Sequence, residues 1–194
     1  MDWNFLAPFR ENWEPVSKPV RIGWMVFYGI FLLYAVTDKS GYLLIDYLFV
    51  PIHEGGHLLF GYFGHTLMVA GGTLLQLGVP LLLAVYFAFQ RQPTGVAFSS
   101  FFFFENFLNV ATYMADSRRL ELQYVTVGDP EFAEHDWATM FTQMGALDYD
   151  TKIAAVVRAI GWVGMIAVVV WLWWKTQPSA RNPSPHTLRP YSRI

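Results

Sequence analysis

Apolar residues along this chain come in long runs, and the polar residues between them are few and clustered. Crossing the hydrocarbon of a bilayer takes roughly 20 helical residues. Five runs approach that length, at residues 20–36, 42–63, 71–89, 96–115 and 153–174. The pattern predicts an all-α fold, a multi-pass membrane helix bundle of about five transmembrane helices. Residues 1–19 read as an interfacial arm, with Trp3, Phe5, Phe9 and Trp13 suited to the headgroup level. Residues 20–174 read as the bundle, with a polar loop at 117–151. Within that loop Gly128-Asp129-Pro130 marks a turn, and residues 133–144 suit a short amphipathic helix at the membrane surface. Residues 175–194 read as a loose tail containing several Pro and Ser. The fifth run ends in Trp171-Leu172-Trp173-Trp174-Lys175, an aromatic and basic anchor.

Details inside the runs refine this picture. Pro51 falls within the second run, where it removes a backbone hydrogen bond and predicts a kink. Gly71, Gly72 and Thr73 open the third run with small residues that let another helix come close. Gln76 follows, suited to a hydrogen bond across helices or to the surroundings of a site. The fourth run carries a polar stripe. With Asn106 at 0°, Asn109 falls at about −60°, Tyr113 at about −20° and Asp116 at about −80°, for 100° per residue. Such a stripe faces the bundle interior or a water-filled cavity, and the Phe-rich opposite side suits lipid.

Composition narrows the classes. The chain is 54% hydrophobic and 18% aromatic, and only 14% is charged, against about 25% in soluble domains. Its net charge of −2 gives no case for a nucleic-acid partner. With no Cys there is no disulfide, no thiolate zinc ligand and no thiol nucleophile. No continuous apolar core near Met1 suggests a cleavable signal peptide. Lys and Arg divide evenly between the two sides, so the positive-inside rule assigns no orientation.

The chemistry concentrates in the second run. His53-Glu54-Gly55-Gly56-His57 is an H-E-x-x-H motif. On a helix, residues i and i+4 lie about 40° apart, so both imidazoles can hold one cation, Zn²⁺ above all. Glu54 lies on the neighbouring face, placed to take a proton from water at the metal. Two His and a Glu among apolar residues are costly unless ligated or paired. A catalytic zinc site needs a third protein ligand and an open position. The second and fourth runs share a direction through the membrane, which brings Asp116 and the following loop to the side of the motif. Asp116 and His135 are therefore the candidate third ligands. Asp136, Asn109, Tyr113 and Gln76 are candidates for the surrounding shell. Asp136 suits an imidazole partner, and Asn109 and Tyr113 suit donors to an oxyanion. The alternative for this set is polar packing between helices.

HEGGH in a membrane run, followed by a hydrophobic hairpin and a later membrane helix ending in an acidic residue, resembles the site-2 protease type of intramembrane zinc metallopeptidase. The resemblance implies zinc on His53 and His57, with Glu54 as general base. It also implies an Asp from a later helix, matched loosely by Asp116. The N-x-x-P-x-x-x-L-D-G signature of that family is absent, and the chain reads NFLNVATYMADSR in its place. HEGGH with Y-M-A-D-S-R and H-D-W looks similar to a group of bacterial membrane proteins described as peptidases. The expected function is then an intramembrane zinc metalloprotease in a bacterial inner membrane, acting on a membrane protein or peptide. The rival readings are a non-catalytic metal-binding scaffold and a metal or proton transporter.

Overall fold

The computed structural model describes residues 13–38, 40–122 and 134–177. Trp3, Phe5, Phe9, the Gly128 turn, His186 and the tail from residue 178 onward lie outside the described residues. Those described contain six α-helices and no strand. They are α1 (Lys18–Thr37), α2 (Asp46–Phe60), α3 (His65–Phe89), α4 (Pro93–Ala115), α5 (Asp136–Gln143) and α6 (Asp150–Lys175). Pro begins α4 and lies in the first turn of α1, where its missing N–H costs nothing. The fold is all-α, as the run pattern predicts.

Helix α4 is the centre. It packs lengthwise along α6 on one side and α3 on the other, and α2 packs along α3. The close approach of α4 and α6 needs small residues. A Cβ on Gly161 would lie 2.8 Å from the Phe104 carbonyl oxygen. The main core joins Tyr28 of α1, Phe101, Phe102 and Leu108 of α4, and Met165 and Leu172 of α6. A second cluster joins Val110, Ala111 and Met114 to Phe141 of α5 and Ala154 of α6.

Three helices are long and apolar enough to cross a membrane, α1, α3 and the segment Leu147–Lys175 that contains α6. The chain is therefore a membrane protein by the length and composition of its helices, with about three candidate spans where the runs suggested five. The two that differ do so for separate reasons. Helix α2 has 15 residues, about 22 Å at 1.5 Å per residue, short of the ~30 Å of hydrocarbon. The first residues of its run, Tyr42–Ile45, lie outside the helix. Helix α4 is long enough, but its polar stripe lowers its hydropathy and protein covers it nearly all round. The expected lipid-facing Phe side is instead core. Phe101 and Phe102 are buried, and rings of α1 pack edge-on or tilted against them.

The helix ends are tied by charge. Arg21 donates to the Thr176 carbonyl at 2.8 Å and lies over the Trp173 ring. Trp13 sits edge-on to Trp171 with the Lys175 ammonium over it, so the aromatic anchor also gathers the end of the arm. Arg118 makes a two-pronged bond to Asp150 at 2.9 and 2.7 Å that joins the end of α4 to the start of α6.

Gly161→Ala is expected to cost about 2 kcal/mol, because its methyl meets backbone. Gly23→Ala in α1 meets nothing within 4 Å and is expected to be neutral or stabilising by about 0.5 kcal/mol. Thermal unfolding of both variants in detergent measures the contrast. Equal effects would refute this account of α4–α6 packing.

Candidate metal centre

The site begins with a contact between backbones. Helices α2 and α3 are antiparallel across the three-residue turn Gly61–Phe63. A Cβ on Gly56 would collide with the Gly71 carbonyl, and one on Gly71 would lie 2.6 Å from the Gly56 carbonyl oxygen. The second Gly of HEGGH and the first of Gly71-Gly72 thus meet face to face. Gly72 does a different job. A Cβ there would lie 2.5 Å from His53 Nε2, so the bare Cα makes room for the imidazole. The small residues at the head of the third run do admit another helix, and that helix is the motif helix itself. Pro51 lies within α2, which runs unbroken to Phe60.

This contact lays both motif imidazoles along α3. His57 Nδ1 lies 2.8 Å from the Met68 carbonyl oxygen, and His53 Nδ1 lies 2.9 Å from Gln76 Oε1. The amide of Gln76 has only one sensible orientation. Its nitrogen donates to Asn106 Oδ1 at 2.7 Å and to Asn109 Oδ1 at 3.1 Å. Asn106 is held in turn, since its own nitrogen donates to the Phe102 carbonyl at 2.7 Å. Gln76 must therefore offer its oxygen to His53, and both imidazoles must carry a proton on Nδ1. Both Nε2 atoms are left to face the other way.

They face Asp136. Its Oδ2 lies 3.0 Å from His53 Nε2 and 3.4 Å from His57 Nε2. His53, His57 and Asp136 form the group able to hold a metal ion among the described residues. Two imidazole lone pairs aimed at a carboxylate repel unless positive charge lies between them, as extra protons or as a metal ion. The separations suit either, since 3.0 Å is an ordinary N–H···O length. A tetrahedral ion with ligands at ~2.0 Å has ligand-to-ligand edges of ~3.3 Å. Burial raises the carboxyl of Asp136, and the facing imidazoles outweigh it and hold it below its ordinary value.

The structure thus brings Asp136 to the motif, where the sequence pointed to Asp116 or His135. Asp116 is occupied elsewhere. It closes the turn after α4, accepting from the Glu121 and Leu122 backbone N–H groups at 3.0 Å each. Its Oδ2 also lies 3.7 Å from His135 Nε2. His135 caps α5, its Nδ1 accepting from Ala138 N–H at 3.2 Å, and burial holds its imidazole below its ordinary value. Its ring stacks on Tyr113 with centroids 4.3 Å apart. These residues carry the chain that delivers Asp136, the first residue of α5. Tyr113 contributes directly, since its hydroxyl oxygen accepts from the Asp136 N–H at 3.2 Å. Gln76 takes both roles foreseen for it, bridging helices and holding a motif His. His65 is the first residue of α3, with Nε2 3.1 Å from Glu134 Oε2.

Glu54 lies beside this group, in the wall of a cavity of about 320 Å³. His53, Gln76, Asn109, Thr112 and Tyr113 line its polar part, and Tyr42, Tyr47 and Phe49 line an aromatic part. The cavity reaches the motif at His53 and Glu54. Sequence reasoning missed Asn106, which it placed in the stripe without a role, and the Met68 carbonyl, which leaves no sequence signal. It gave Asp136 a supporting part. The available clue was position, because His135-Asp136 stands where a cap and a first helical residue would.

No family model, curated protein or solved structure matches this chain.

In metal-free protein His53 is expected to keep a proton on Nδ1, read from its ¹⁵N shifts. Gln76→Leu removes the acceptor and is expected to give mixed tautomers. A pure Nδ1–H form in that variant would show that Gln76 does not set it.

Proposed function

We propose that this chain is a zinc-dependent peptidase of the membrane, hydrolysing peptide bonds at or within the surface of the bilayer. The observation that carries the reading is the convergence of His53 Nε2, His57 Nε2 and Asp136 Oδ2, with Glu54 in the adjoining cavity wall. Three protein donors rather than four leave a position for water, the pattern of catalytic rather than structural zinc. Zinc there supplies Lewis acidity, polarising a carbonyl and acidifying water. The other steps belong to the chain's own groups. Glu54 takes the proton of the attacking water and passes it to the leaving nitrogen as the C–N bond breaks. Gln76 and the Met68 carbonyl keep both Nε2 atoms bare, and Tyr113 keeps Asp136 in place. The aromatic wall of Tyr42, Tyr47 and Phe49 favours an apolar substrate segment.

The resemblance to site-2 proteases agrees with this reading in its two His and its Glu. The Asp then comes from the first turn of α5, at the end of a polar loop, in place of a membrane helix. A bacterial inner membrane is the setting that goes with that resemblance.

Purified wild type supplied with zinc is expected to hold about one ion per chain. His53→Ala, His57→Ala and Asp136→Ala are each expected to lose it, and Asp116→Ala is expected to keep it. Glu54→Gln should retain zinc and lose at least ~10²-fold in turnover of apolar peptides in micelles. A wild type that binds no zinc, or a Glu54→Gln that cleaves normally, would overturn the proposal.

A further inference from the structure

Two buried carboxyl groups take no part in the reading above. Asp46 is the first residue of α2 and is 2% exposed, and Glu105 in mid-α4 is 0% exposed. Asp46 Oδ2 accepts from the Leu43 N–H at 2.6 Å. Among the described residues, no N–H or O–H closes a hydrogen bond on Asp46 Oδ1 or on either Glu105 oxygen. The Asp46 side chain interacts with Glu105, Asn109 and the charge of Asp38, and the Glu105 side chain interacts with Asp46. Two adjacent carboxylates out of water cannot both ionise. A bond between them needs one shared proton.

The place of that proton gives it consequence. Helix α2 packs along α3 and scarcely touches α4. The gap between α2 and α4 is the 320 Å³ cavity that holds Glu54 and His53 in its wall. Polar contacts close it at two levels. At one, Tyr113 of α4 holds Asp136 against His53. At the other, Glu105 of α4 meets Asp46. Asp46 also lines a second cavity of about 370 Å³, shared with Asp38, Gly41 and Arg158. Open space therefore reaches Asp46 from two sides, while Glu105 lines neither cavity.

We propose that Asp46 and Glu105 form a proton-operated latch across the cleft between α2 and α4, closed while they share a proton and released when it passes to water. The closed state binds the proton and the open state does not, so closure is favoured at low pH and lost as pH rises. The neighbouring groups support two states. Asp38 adds a like charge to Asp46, and Tyr42, packed edge-on to Tyr47, lies near it on its own side. Arg158 of α6, held by a 3.0 Å bond to Thr112 Oγ1, shares the second cavity and gives a freed Asp46 carboxylate another partner. Asn109 belongs to both networks, as it accepts from Gln76. Describing the cleft as an entrance rests on the hydrolase reading, whereas the latch itself does not.

The test uses metal-free full-length protein. The infrared spectrum at neutral pH is expected to show a protonated-carboxyl C=O band that Glu105→Gln removes. The chain has no Cys, so Tyr47→Cys and Leu122→Cys can carry a spin-label pair across the cleft without background. Its distance distribution is expected to lengthen as pH rises. The same pair on Glu105→Gln, whose neutral amide can still donate to Asp46, is expected to stay short at every pH. The latch is overturned by absence of the band, or by a pH shift that is missing in the wild-type background or persists in Glu105→Gln. If the labelled chain does not fold, the band and its loss in Glu105→Gln decide. A wild type that binds no zinc when supplied with it, yet shows both signatures, would sink the hydrolase and leave the latch standing.

Discussion

The backbones of α2 and α3 touch at Gly56 and Gly71, and the arrangement of the site follows from that contact. Side chains larger than hydrogen would hold the helices apart and lift the imidazoles off their acceptors. With the backbones in contact, His57 reaches a main-chain carbonyl and His53 reaches Gln76. Gly72 then supplies the space in which the His53 ring sits. The glycines of HEGGH and of Gly71-Gly72 are thus a single device split between two helices. Small residues play the same part where α6 meets α4 at Gly161 and Gly164.

Direction in the polar network comes from α4. A buried amide can point either way, and the choice decides which nitrogen of an imidazole keeps its proton. The Phe102 carbonyl settles it at the far end by fixing Asn106, and the choice passes through Gln76 to His53. This explains why the polar stripe of α4 lies against α3 and α2. It also explains why α4, though one of the three longest helices, is not among the candidate spans. A helix that carries Glu105, Asn106, Asn109 and Thr112 inward needs protein on its other faces, and α1, α3 and α6 supply it.

The helical class, the motif and the inward stripe were legible in the sequence because they are local. Run length gives helices, i and i+4 spacing gives the His pair, and 100° per residue gives the stripe. The third member of the group was not legible, for a reason found in two particular residues. Asp116 ends the stripe on the correct side, but the chain turns directly after it and leaves backbone N–H groups there that need an acceptor. Its carboxylate is consumed by the turn it closes. Asp136 has the reverse position. As a first helical residue, with His135 as cap, it has no backbone duty and its carboxylate is left for the imidazoles. The span count went astray because run length does not reveal what covers a helix. Phe101 and Phe102 read equally well as lipid-facing or as core.

The two ends of α2 carry opposite electrostatic problems, and this bears on how the cleft can work. Near His57, donor atoms converge that need positive charge. At Asp46, two acids converge that need a proton. Neither demand is met by burying apolar surface, so neither end is held as firmly as the Gly56–Gly71 seam between them. A helix fixed along one side to α3 and held to α4 through ionisable contacts can swing about that seam without breaking the core. The peptidase proposed above would need such a movement, because a 320 Å³ cavity accommodates part of an extended segment and not its flanks. The short length of α2, awkward for a span, suits it to this role. A 15-residue helix anchored at its glycines can move its Asp46 end while His53 and His57 stay on α3.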